Sequence, residues 1–400
     1  MFQKFLLFVV LCSSVAFRTW SNPQEHGEKD AHQHGTEHAE HADHSDAADA
    51  HAEHGDHGEA AKEFNAGEMI MHHISDAHEI HFFTLNADSE HPDHYSIGLP
   101  VILWTNDGLK VFGSKKFYHG EEIHLKEGHG YKYGDYVMAN EVIYYAGEHE
   151  AIEYDAEGAI TNDAPIDLSI TKTIVGLLLT CILILWIFIS VARAYVRRGN
   201  QAPKGMQSLM EPLILFVRDE VAIPSIGAKK AEKFLPFLLT VFFFIWIANL
   251  LGLMSFIGGY NVMGSLGVTV VLAFIVFVIT TINGNKHYWK HIVWPDGIPF
   301  AIKLILVPIE IVQVFLKPLV LMIRLTANIT AGHIIILAFT ALIFIFGADS
   351  AVAGYGVGAG SLIFMLFMFM IELLVAFLQA YVFTLLSALY FGAAVEEAHH

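Results

Sequence analysis

Ionisable and amide side chains occur inside the apolar C-terminal part of this sequence, where such groups are costly. A charged side chain at the centre of a membrane helix costs about 2.5 to 3.5 kcal/mol on insertion scales, so each one indicates a function or a specific partner. One apolar stretch, 298–346, contains Lys303, Glu310, Gln313, Lys317, Arg324, Asn328 and His333. The next stretch contains Glu372 and Gln379, which are seven residues apart and therefore share a helix face.

Five of these polar residues form a single stripe about 60° wide if each helical residue advances about 100°. The stripe consists of Glu310, Gln313, Lys317, Arg324 and Asn328, whereas His333 falls on another face. A polar stripe on a helix of Leu, Ile and Val predicts a polar or hydrated neighbour. Arg324 keeps its charge at physiological pH and therefore cannot relay a proton, but it favours ionisation of a nearby carboxylate. His333 and Glu372 are a titratable pair suited to proton transfer.

The elements that carry these residues are runs long enough to cross a membrane. About 20 apolar residues span a hydrocarbon layer of roughly 30 Å. Five runs approach or exceed this length, namely Ile174–Val191, Leu235–Phe256, Val268–Ile282, 298–346 and Leu362–Phe391. The fourth run corresponds to about 70 Å of helix, so it is either two spans with a tight turn or one strongly tilted helix. The Gly-rich stretch Gly347–Gly360 is expected to reverse the chain after it.

Residues 169–400 therefore predict an all-α, multi-span membrane domain. It has about five membrane helices, and the last two form a long tilted hairpin. Residues 208–222 have one apolar face and predict an additional amphipathic helix lying in the membrane plane. Arg193, Arg197 and Arg198 follow the first run, and the positive-inside rule places that end in the cytoplasm and the N-terminal part outside.

The N-terminal part, 1–168, has 31 of the 41 acidic residues and 9 of the 23 basic ones. Residues 1–16 combine Lys4, an apolar stretch and Ser14-Val15-Ala16, which predicts a signal peptide, with an uncleaved anchor as the alternative. Residues 17–66 are expected to be disordered, because 25–59 contain no hydrophobic residue larger than Ala. If the signal peptide is cleaved, the acidic region that follows it is expected to be exported.

Histidines are frequent in this predicted tail. One interpretation is weak Zn²⁺, Cu²⁺ or Ni²⁺ binding, for which the candidate ligands are His32, His34, His38, His41 and His44. Another is pH buffering, and a third is a solvated acidic tail without a specific role, since no ligand spacing recurs. Cys12 and Cys181 lie in the predicted signal and in an apolar run, which disfavours a disulfide framework or a thiolate metal site. No cofactor is expected.

Residues 67–168 regain aromatic and β-branched side chains and predict an exported, β-containing domain. The strand-like runs are Val101–Trp104, Lys110–Phe112 and Tyr136–Tyr145, with a hairpin turn predicted at Asn106-Asp107-Gly108. The histidines of this region include His72, His73, His78 and His81. The spacing of the last two could place them near each other on a helix, but a surface location is expected for these histidines.

The C-terminal half resembles subunit a of the F-type ATP synthase membrane sector. The resemblance runs from about Met210 to Glu397 and is carried mainly by Ile323-Arg324-Leu325-Thr326-Ala327-Asn328-Ile329-Thr330-Ala331-Gly332-His333. Supporting motifs are Pro308-Ile309-Glu310, Leu316-Lys317-Pro318 and Phe377-Leu378-Gln379-Ala380-Tyr381-Val382-Phe383. The resemblance implies a proton-conducting stator subunit with two half-channels, in which Arg324 faces a rotating c-ring and gates deprotonation of the ring carboxylates.

The resemblance also implies roles for the other polar residues. Asn328, His333, Glu372 and Gln379 would lie along the path from the outer face, with Glu310 near the cytoplasmic exit and Lys317 and Gln313 in support. Many members have an acid where His333 stands and a histidine where Glu372 stands, so the pair is exchanged here. Gly252 replaces an acid found in some relatives, so no channel role is expected for the helix containing Asn249-Leu250-Leu251-Gly252.

The implied partners are the c-ring, the subunit b peripheral stalk, the catalytic head through the stalks, and membrane lipid. No nucleic acid is expected, because the acidic balance lacks a basic footprint for phosphate. The implied location is a bacterial inner membrane, with a periplasmic mature N-terminus and a cytoplasmic C-terminus. The subunit itself would have no catalytic site.

Two other functions fit parts of the sequence. A divalent-metal transporter would collect Zn²⁺ on the His-rich tail and pass it along His333 and Glu372, but Arg324 would repel such a cargo and facing ligand clusters are missing from the sequence. A structural anchor subunit would use the polar groups only to fix helix packing.

Overall fold

The structure is a computed structural model and describes residues 67, 70, 74–85, 93–118, 120–125, 129–147, 151–156, 158–199, 201–254, 259–295 and 297–397. The predicted signal peptide, 1–16, and the predicted disordered tail, 17–66, lie outside these residues, as do His72 and His73. The described part consists of strands up to residue 167 and mainly of helices after it, which confirms the mixed fold predicted from the sequence.

The strands of the described part form three antiparallel sheets. β1 (Glu79–Leu85) pairs with β2 (Asp93–Gly98), and β3 (Pro100–Thr105) lies between β4 (Gly108–Gly113) and β9 (Ile166–Asp167). The third sheet is a meander of β5 (Glu121–His124), β6 (His129–Tyr133), β7 (Tyr136–Ala139) and β8 (Val142–Tyr145). A short helix, α1 (Lys115–Tyr118), connects the second and third sheets. We call this assembly, residues 74–171, the β unit.

The turns follow from local backbone chemistry. Thr105 pairs with Gly108, so the hairpin predicted at Asn106-Asp107 is present. The run Tyr136–Tyr145, read from the sequence as one strand, is instead a second hairpin, because Asn140 and Glu141 adopt φ values of 49° and 65°. Two central residues with positive φ make the tight turn that matches the twist of paired strands.

Five long apolar helices follow the β unit, as predicted. They are α2 (Lys172–Arg198), α5 (Ala228–Leu253), α6 (Leu266–Asn283), α8 (Phe300–Asp349) and α9 (Ala351–Val395). α5 is the central helix. In its apolar segment, 67% is buried, and Phe242, Phe243 and Phe244 lie in the core. The corresponding fractions for α8 and α9 are only 11% and 17%, so this hairpin leaves most of its apolar surface open.

α8 is a single helix of 50 residues. At 1.5 Å per residue it is about 75 Å long, more than twice the hydrocarbon thickness of roughly 30 Å. The chain turns at the extended residue Ser350, inside the stretch Gly347–Gly360 that was predicted to reverse it, and residues 354–360 already belong to α9. Gly354 allows close packing beside this turn, because a Cβ on it would stand 2.7 Å from the Cα of Gly347.

The predicted in-plane segment consists of three consecutive helical pieces. They are α3 (Met206–Phe216), a π-helix (Val217–Ala222) and α4 (Ile223–Ile226). Met210, Val217 and Val221 are buried, as the apolar face predicted, while Arg218 and Asp219 are exposed and paired at 2.7 Å. A further short helix, α7 (Lys286–Val293), precedes α8.

The β unit is joined to the membrane helices by hydrogen bonds and by a shared apolar core. The Thr173 amide donates to Asp76 Oδ1 at 2.8 Å, and the Lys172 amide donates to the Ala77 carbonyl at 2.9 Å. Asp76 thus accepts one of the amides that a helix N-terminus leaves without an intrahelical partner. Ile80 and Leu99 lie in the same core cluster as residues of α2 and α5.

The expectation that the histidines of this region lie on the surface is wrong for His78. Its side chain is only 2% exposed, with Nε2 3.3 Å from Asp167 Oδ2 and Nδ1 3.5 Å from Glu141 Oε2. Burial alone would lower the pKa of His78, but the hydrogen bonds to Asp167 and Glu141, together with their charges, raise it to about 9. Two carboxylates thus compensate the cost of burying the imidazolium.

We expect the β unit to lose stability as the pH rises from about 6.5, the ordinary pKa of histidine, through the raised pKa of about 9. A group whose pKa is raised by folding stabilises the folded state below its unfolded pKa, and this contribution disappears above its folded pKa. Limited proteolysis of the β unit in the assembled complex between these pH values measures the effect.

In His78→Gln, the cleavage rate should change much less with pH. His287→Gln, on the exposed side of α7, is the control and should keep the wild-type pH dependence. A steep wild-type dependence that survives in His78→Gln would contradict this assignment.

Candidate functional site

The polar stripe of α8 lies along the open side of the hairpin. Lys317, Arg324 and Asn328 are exposed, and Glu310 and Gln313 are half-buried. Arg324 lies near enough to Tyr390 of α9 for its charge to act on that residue, and Lys317 Nζ is 5.9 Å from the centre of the Tyr390 ring. The stripe therefore presents two cations and the Asn328 amide beside exposed apolar side chains.

The surface around Arg324 consists of large apolar side chains. Ile323 and Val320 are each about half exposed on α8, as are several residues of α9. A charged guanidinium with this surrounding has few ways to be stabilised in hydrocarbon, since water is absent there. The geometry thus calls for a partner that supplies polar or anionic atoms beside Arg324.

A second polar group lies between α5, α8 and α9. A Cβ on Gly332 would stand 2.5 Å from Glu372 Oε1, so α9 places Glu372 directly against the residue before His333. His333 faces α5, where a Cβ on Gly252 would stand 3.6 Å from its Nε2. We call His333, Glu372 and the adjoining Asn249 the outer polar group.

Several atoms of the outer polar group are buried without a protein hydrogen-bond partner. Glu372 is 5% exposed, and neither of its carboxylate oxygens is paired. Asn249 Nδ2 donates to the Ala376 carbonyl at 3.3 Å, while its Oδ1 is unpaired. Buried polar groups are normally satisfied by protein or by water, so this group favours a hydrated path. Gln379 is also buried, two turns further along α9.

Glu310 belongs to a different region. Glu310 lies near Tyr288 of α7. Lys303, which is closer to the start of α8, has its Nζ 4.5 Å from the centre of the Trp294 ring. Glu310 and His333 are 23 residues apart on α8, which corresponds to about 35 Å. Arg324 lies between them, about 21 Å from the first and about 14 Å from the second. The candidate residues thus form two separated groups, one at Glu310 and one at His333, and the Arg324 guanidinium lies between them.

Sequence reasoning missed the contribution of α5. Asn249 and Gly252 belong to the motif for which no channel role was expected, but the structure places Gly252 against His333 and bonds Asn249 to Ala376, one turn after Glu372. The amide of Asn249 in an apolar run was the available signal. The Thr269 and Thr326 hydroxyls, 2.7 Å apart, also fix α6 to α8 close to Arg324.

Metal ligation is not evident in the part of the chain that the structure describes. No group of three or more His, Cys, Asp or Glu side chains there is arranged to hold a metal ion. The candidate ligands of the tail, His32, His34, His38, His41 and His44, lie outside the described residues.

Gly332→Ala should destabilise the α8–α9 hairpin, because the added methyl group meets Glu372 Oε1. Overpacking of this kind typically costs about 1 to 3 kcal/mol, measured here as a lower Tm of the purified complex. Glu372→Ala in the same chain should recover part of the loss by removing the clashing atoms. Gly347→Ala is the matched control, since a Cβ there has no neighbour within 4 Å. Equal Tm values for the two single glycine variants would contradict the close contact.

Comparison with known proteins places this geometry in a family. Residues 174–392 match the family model described as ATP synthase A chain, and residues 69–168 match a domain of unknown function (DUF8433). The chain is 46% identical to ATP synthase subunit a 2 of Chlorobaculum tepidum over 238 residues, which cover 58% of this chain and 64% of the relative. The chain thus spans slightly less than two thirds of that relative's length.

Other relatives match over a larger share of this chain and of their own length. ATP synthase subunit a of Chlorobium phaeobacteroides BS1 is 35% identical over 308 residues, covering 72% of this chain and 88% of the relative. That of Anaeromyxobacter dehalogenans is 34% identical over 302 residues, covering 70% of this chain and 75% of the relative. These alignments are longer than residues 169–400 alone, so they also include part of the N-terminal region. The A chain match covers more than half of the sequence, and the protein belongs to the ATP synthase subunit a family.

Proposed function

We propose that this chain is the proton-conducting stator subunit of an F-type ATP synthase, with Arg324 as the gate at which carboxylates of a rotating c-ring lose their protons. As a subunit a family member, it is a multi-pass membrane protein of a bacterial membrane and belongs to the membrane sector of the complex. The observation that carries the proposal is the exposed Arg324 guanidinium on α8, between two separated polar groups.

The two polar groups suit two half-channels that each cross only part of the membrane. The outer polar group, with Asn328 and Gln379 nearby in sequence, would admit protons from outside, and Glu310 would release them to the cytoplasm. Gln313 and Lys317 lie between Glu310 and Arg324 and would support the inner path. About 35 Å separates Glu310 from His333, so a proton needs a carrier to pass from one group to the other.

Arg324 makes the transfer directional. A fixed cation favours the ionised form of a nearby carboxylate, so a ring acid that passes Arg324 releases its proton toward the exit. The same charge repels a proton moving directly between the half-channels. Each proton that falls through 100 mV releases about 2.3 kcal/mol, so several are needed for each ATP.

The open face of the α8–α9 hairpin is the proposed surface for the c-ring. Its apolar side chains are largely exposed, and a long tilted helix follows a curved neighbour over a greater length than an upright one. Lipid would cover the remaining apolar faces. Subunit b of the peripheral stalk, and through the stalks the catalytic head, are proposed as partners on the basis of the family resemblance.

The proposed orientation has a periplasmic N-terminus and a cytoplasmic C-terminus. The C-terminal end of α9 contacts basic loops that the positive-inside rule assigns to the cytoplasm. Lys230 Nζ forms an ion pair with Glu397 at 2.5 Å and donates to the Val395 carbonyl, and the Asn285 amide donates to the Ala394 carbonyl. A zinc transporter has no support from the relatives, which are ATP synthase a subunits.

Arg324→Ala should reduce proton-driven ATP synthesis in membrane vesicles to background while the complex still assembles. Arg324→Lys should retain partial activity, because it keeps a charge but loses the planar, delocalised guanidinium. Lys303→Ala removes a cation from the same helix, far from Arg324, and is the matched control with near-normal synthesis. Normal synthesis by an assembled Arg324→Ala complex would refute the gate.

His333 and Glu372 should behave as a pair. Glu372→Gln removes a titrating carboxylate without changing its shape much, so we expect proton flux to fall by roughly tenfold or more. Exchanging the two residues keeps one acid and one imidazole between the helices and should impair dye-monitored proton pumping less than either single loss. An exchange no better than the single variants would show that the two residues do not act together.

A further inference from the structure

A side-chain hydrogen bond inside the apolar domain joins α6 to α8 next to Arg324. The hydroxyl oxygens of Thr269 on α6 and Thr326 on α8 are 2.7 Å apart. Thr269 is fully buried, and its hydroxyl also lies 3.1 Å from the Leu266 carbonyl and 3.3 Å from the Ser265 carbonyl. A hydroxyl has one proton to donate. The arrangement that satisfies both hydroxyls therefore has Thr326 donating to Thr269, and Thr269 donating to a carbonyl at the start of its own helix.

This hydrogen bond lies on the side of α8 that faces away from Arg324. Arg324 and Thr326 are two residues apart, so their side chains point in directions that differ by about 200° at about 100° per residue. The Arg324 side chain is exposed, and Thr326 is half-buried. The contact with α6 therefore directs the guanidinium toward the open face of the α8–α9 hairpin.

The other contacts on this side of α8 are apolar. They are made by the buried side chains Leu321, Leu325 and Ile329 and by the rings of Phe277 and Phe315, whose centres are 5.6 Å apart. Only 11% of the apolar segment of α8 is buried. Apolar burial has no preferred direction, whereas a hydrogen bond requires a narrow range of distance and angle. The threonine pair is therefore suited to restrict the rotation of α8 about its own axis.

A small rotation of α8 matters for a charge at its surface. Side chains reach about 5 to 6 Å from the axis of a helix, so a rotation of about 30° moves a side-chain end by about 3 Å. Opposite charges alter ionisation strongly within about 4 to 6 Å of each other. A shift of about 3 Å is a large part of that range and would weaken the action of Arg324 on a ring carboxylate.

We propose that Thr326 is a positioning residue, which keeps the Arg324 guanidinium directed at the c-ring through its hydrogen bond to Thr269. This inference rests on the proposed function and adds to it a pair of hydroxyl groups that do not themselves meet the ring carboxylate. The pair holds α8 against α6 from behind while the ring turns past the front of α8.

The competing explanation is that Thr326 only fills space between the two helices. Valine has nearly the shape of threonine without the hydroxyl group, and serine keeps the hydroxyl group without the methyl group. A positioning role predicts that Thr326→Ser keeps most of the activity and that Thr326→Val loses it. A space-filling role predicts the opposite order.

The test measures ATP synthesis and proton flow together in vesicles that contain the whole ATP synthase. A displaced guanidinium would let protons pass between the half-channels without driving the ring. Thr326→Val should therefore lower the ATP made per proton by roughly threefold to tenfold, the range expected when a hydrogen bond within a membrane is lost. A smaller amount of assembled complex would lower both quantities together and leave their ratio unchanged.

Thr280→Val is the matched control on α6. The Thr280 hydroxyl donates to the Val276 carbonyl of its own helix at 2.7 Å. Its loss removes a buried hydroxyl from the same helix without touching the contact to α8, so this variant should make as much ATP per proton as the wild type.

Thr269→Val removes the other partner of the bond and should lower the same ratio. The double variant Thr269→Val/Thr326→Val should be no worse than Thr326→Val alone, because residues that act through one shared contact have non-additive effects. Losses that add in full would contradict an action through this bond.

A wild-type ratio in Thr326→Val, or a greater loss in Thr326→Ser than in Thr326→Val, would overturn the inference. If Thr326→Val fails to assemble, Thr269→Val and Thr269→Ser decide the question by the same readouts. Arg324→Ala in the same vesicles tests the proposed function separately. Loss of synthesis in Arg324→Ala together with normal coupling in Thr326→Val would refute only the positioning role, whereas normal synthesis in Arg324→Ala would refute the gate and this inference with it.

Discussion

A guanidinium that cannot lose its charge, on an apolar helix surface, is the constraint on which the rest of this structure depends. Arg324 is exposed on α8 and is surrounded by half-exposed aliphatic side chains. Hydrocarbon alone does not stabilise such a charge, so the surface requires a neighbour that supplies anionic or polar atoms. A ring whose carboxylates pass one after another would meet this requirement, and it would explain why no acid among the described residues forms an ion pair with Arg324.

The helix packing keeps this surface open. α5 is the most deeply buried of the five long helices, whereas α8 and α9 leave most of their apolar segments exposed. Small residues at the α8–α9 contact allow the close approach that brings Glu372 against Gly332 and leaves its carboxylate buried. Along α8, His333 of the outer polar group and Glu310 are about 35 Å apart, which fits the proposal that a moving carrier links them.

Much of this architecture was predictable from residue types and spacing. Apolar run lengths predicted five long helices, and the Arg324 motif predicted the family, because both depend on local sequence and on the cost of polar groups in lipid. The Gly-rich stretch 347–360 predicted the turn, but not its exact place at Ser350, because residues 354–360 continue the helix α9. His78 was misjudged because its burial depends on Glu141 and Asp167, which are 63 and 89 residues away in sequence. Asn249 was underestimated for a similar reason, as its partner Ala376 is on another helix.

The β unit meets the membrane domain at the start of α2, where the Asp76 carboxylate accepts a hydrogen bond from the Thr173 amide. The central claim nevertheless concerns Arg324, and a density map of the assembled complex tests it most directly by the distance from the guanidinium to the nearest carboxylate. The account predicts a carboxylate of a neighbouring ring subunit within about 4 to 6 Å, the range in which opposite charges alter ionisation strongly. Lipid density at that position, or an acid of this same chain paired with Arg324, would contradict it.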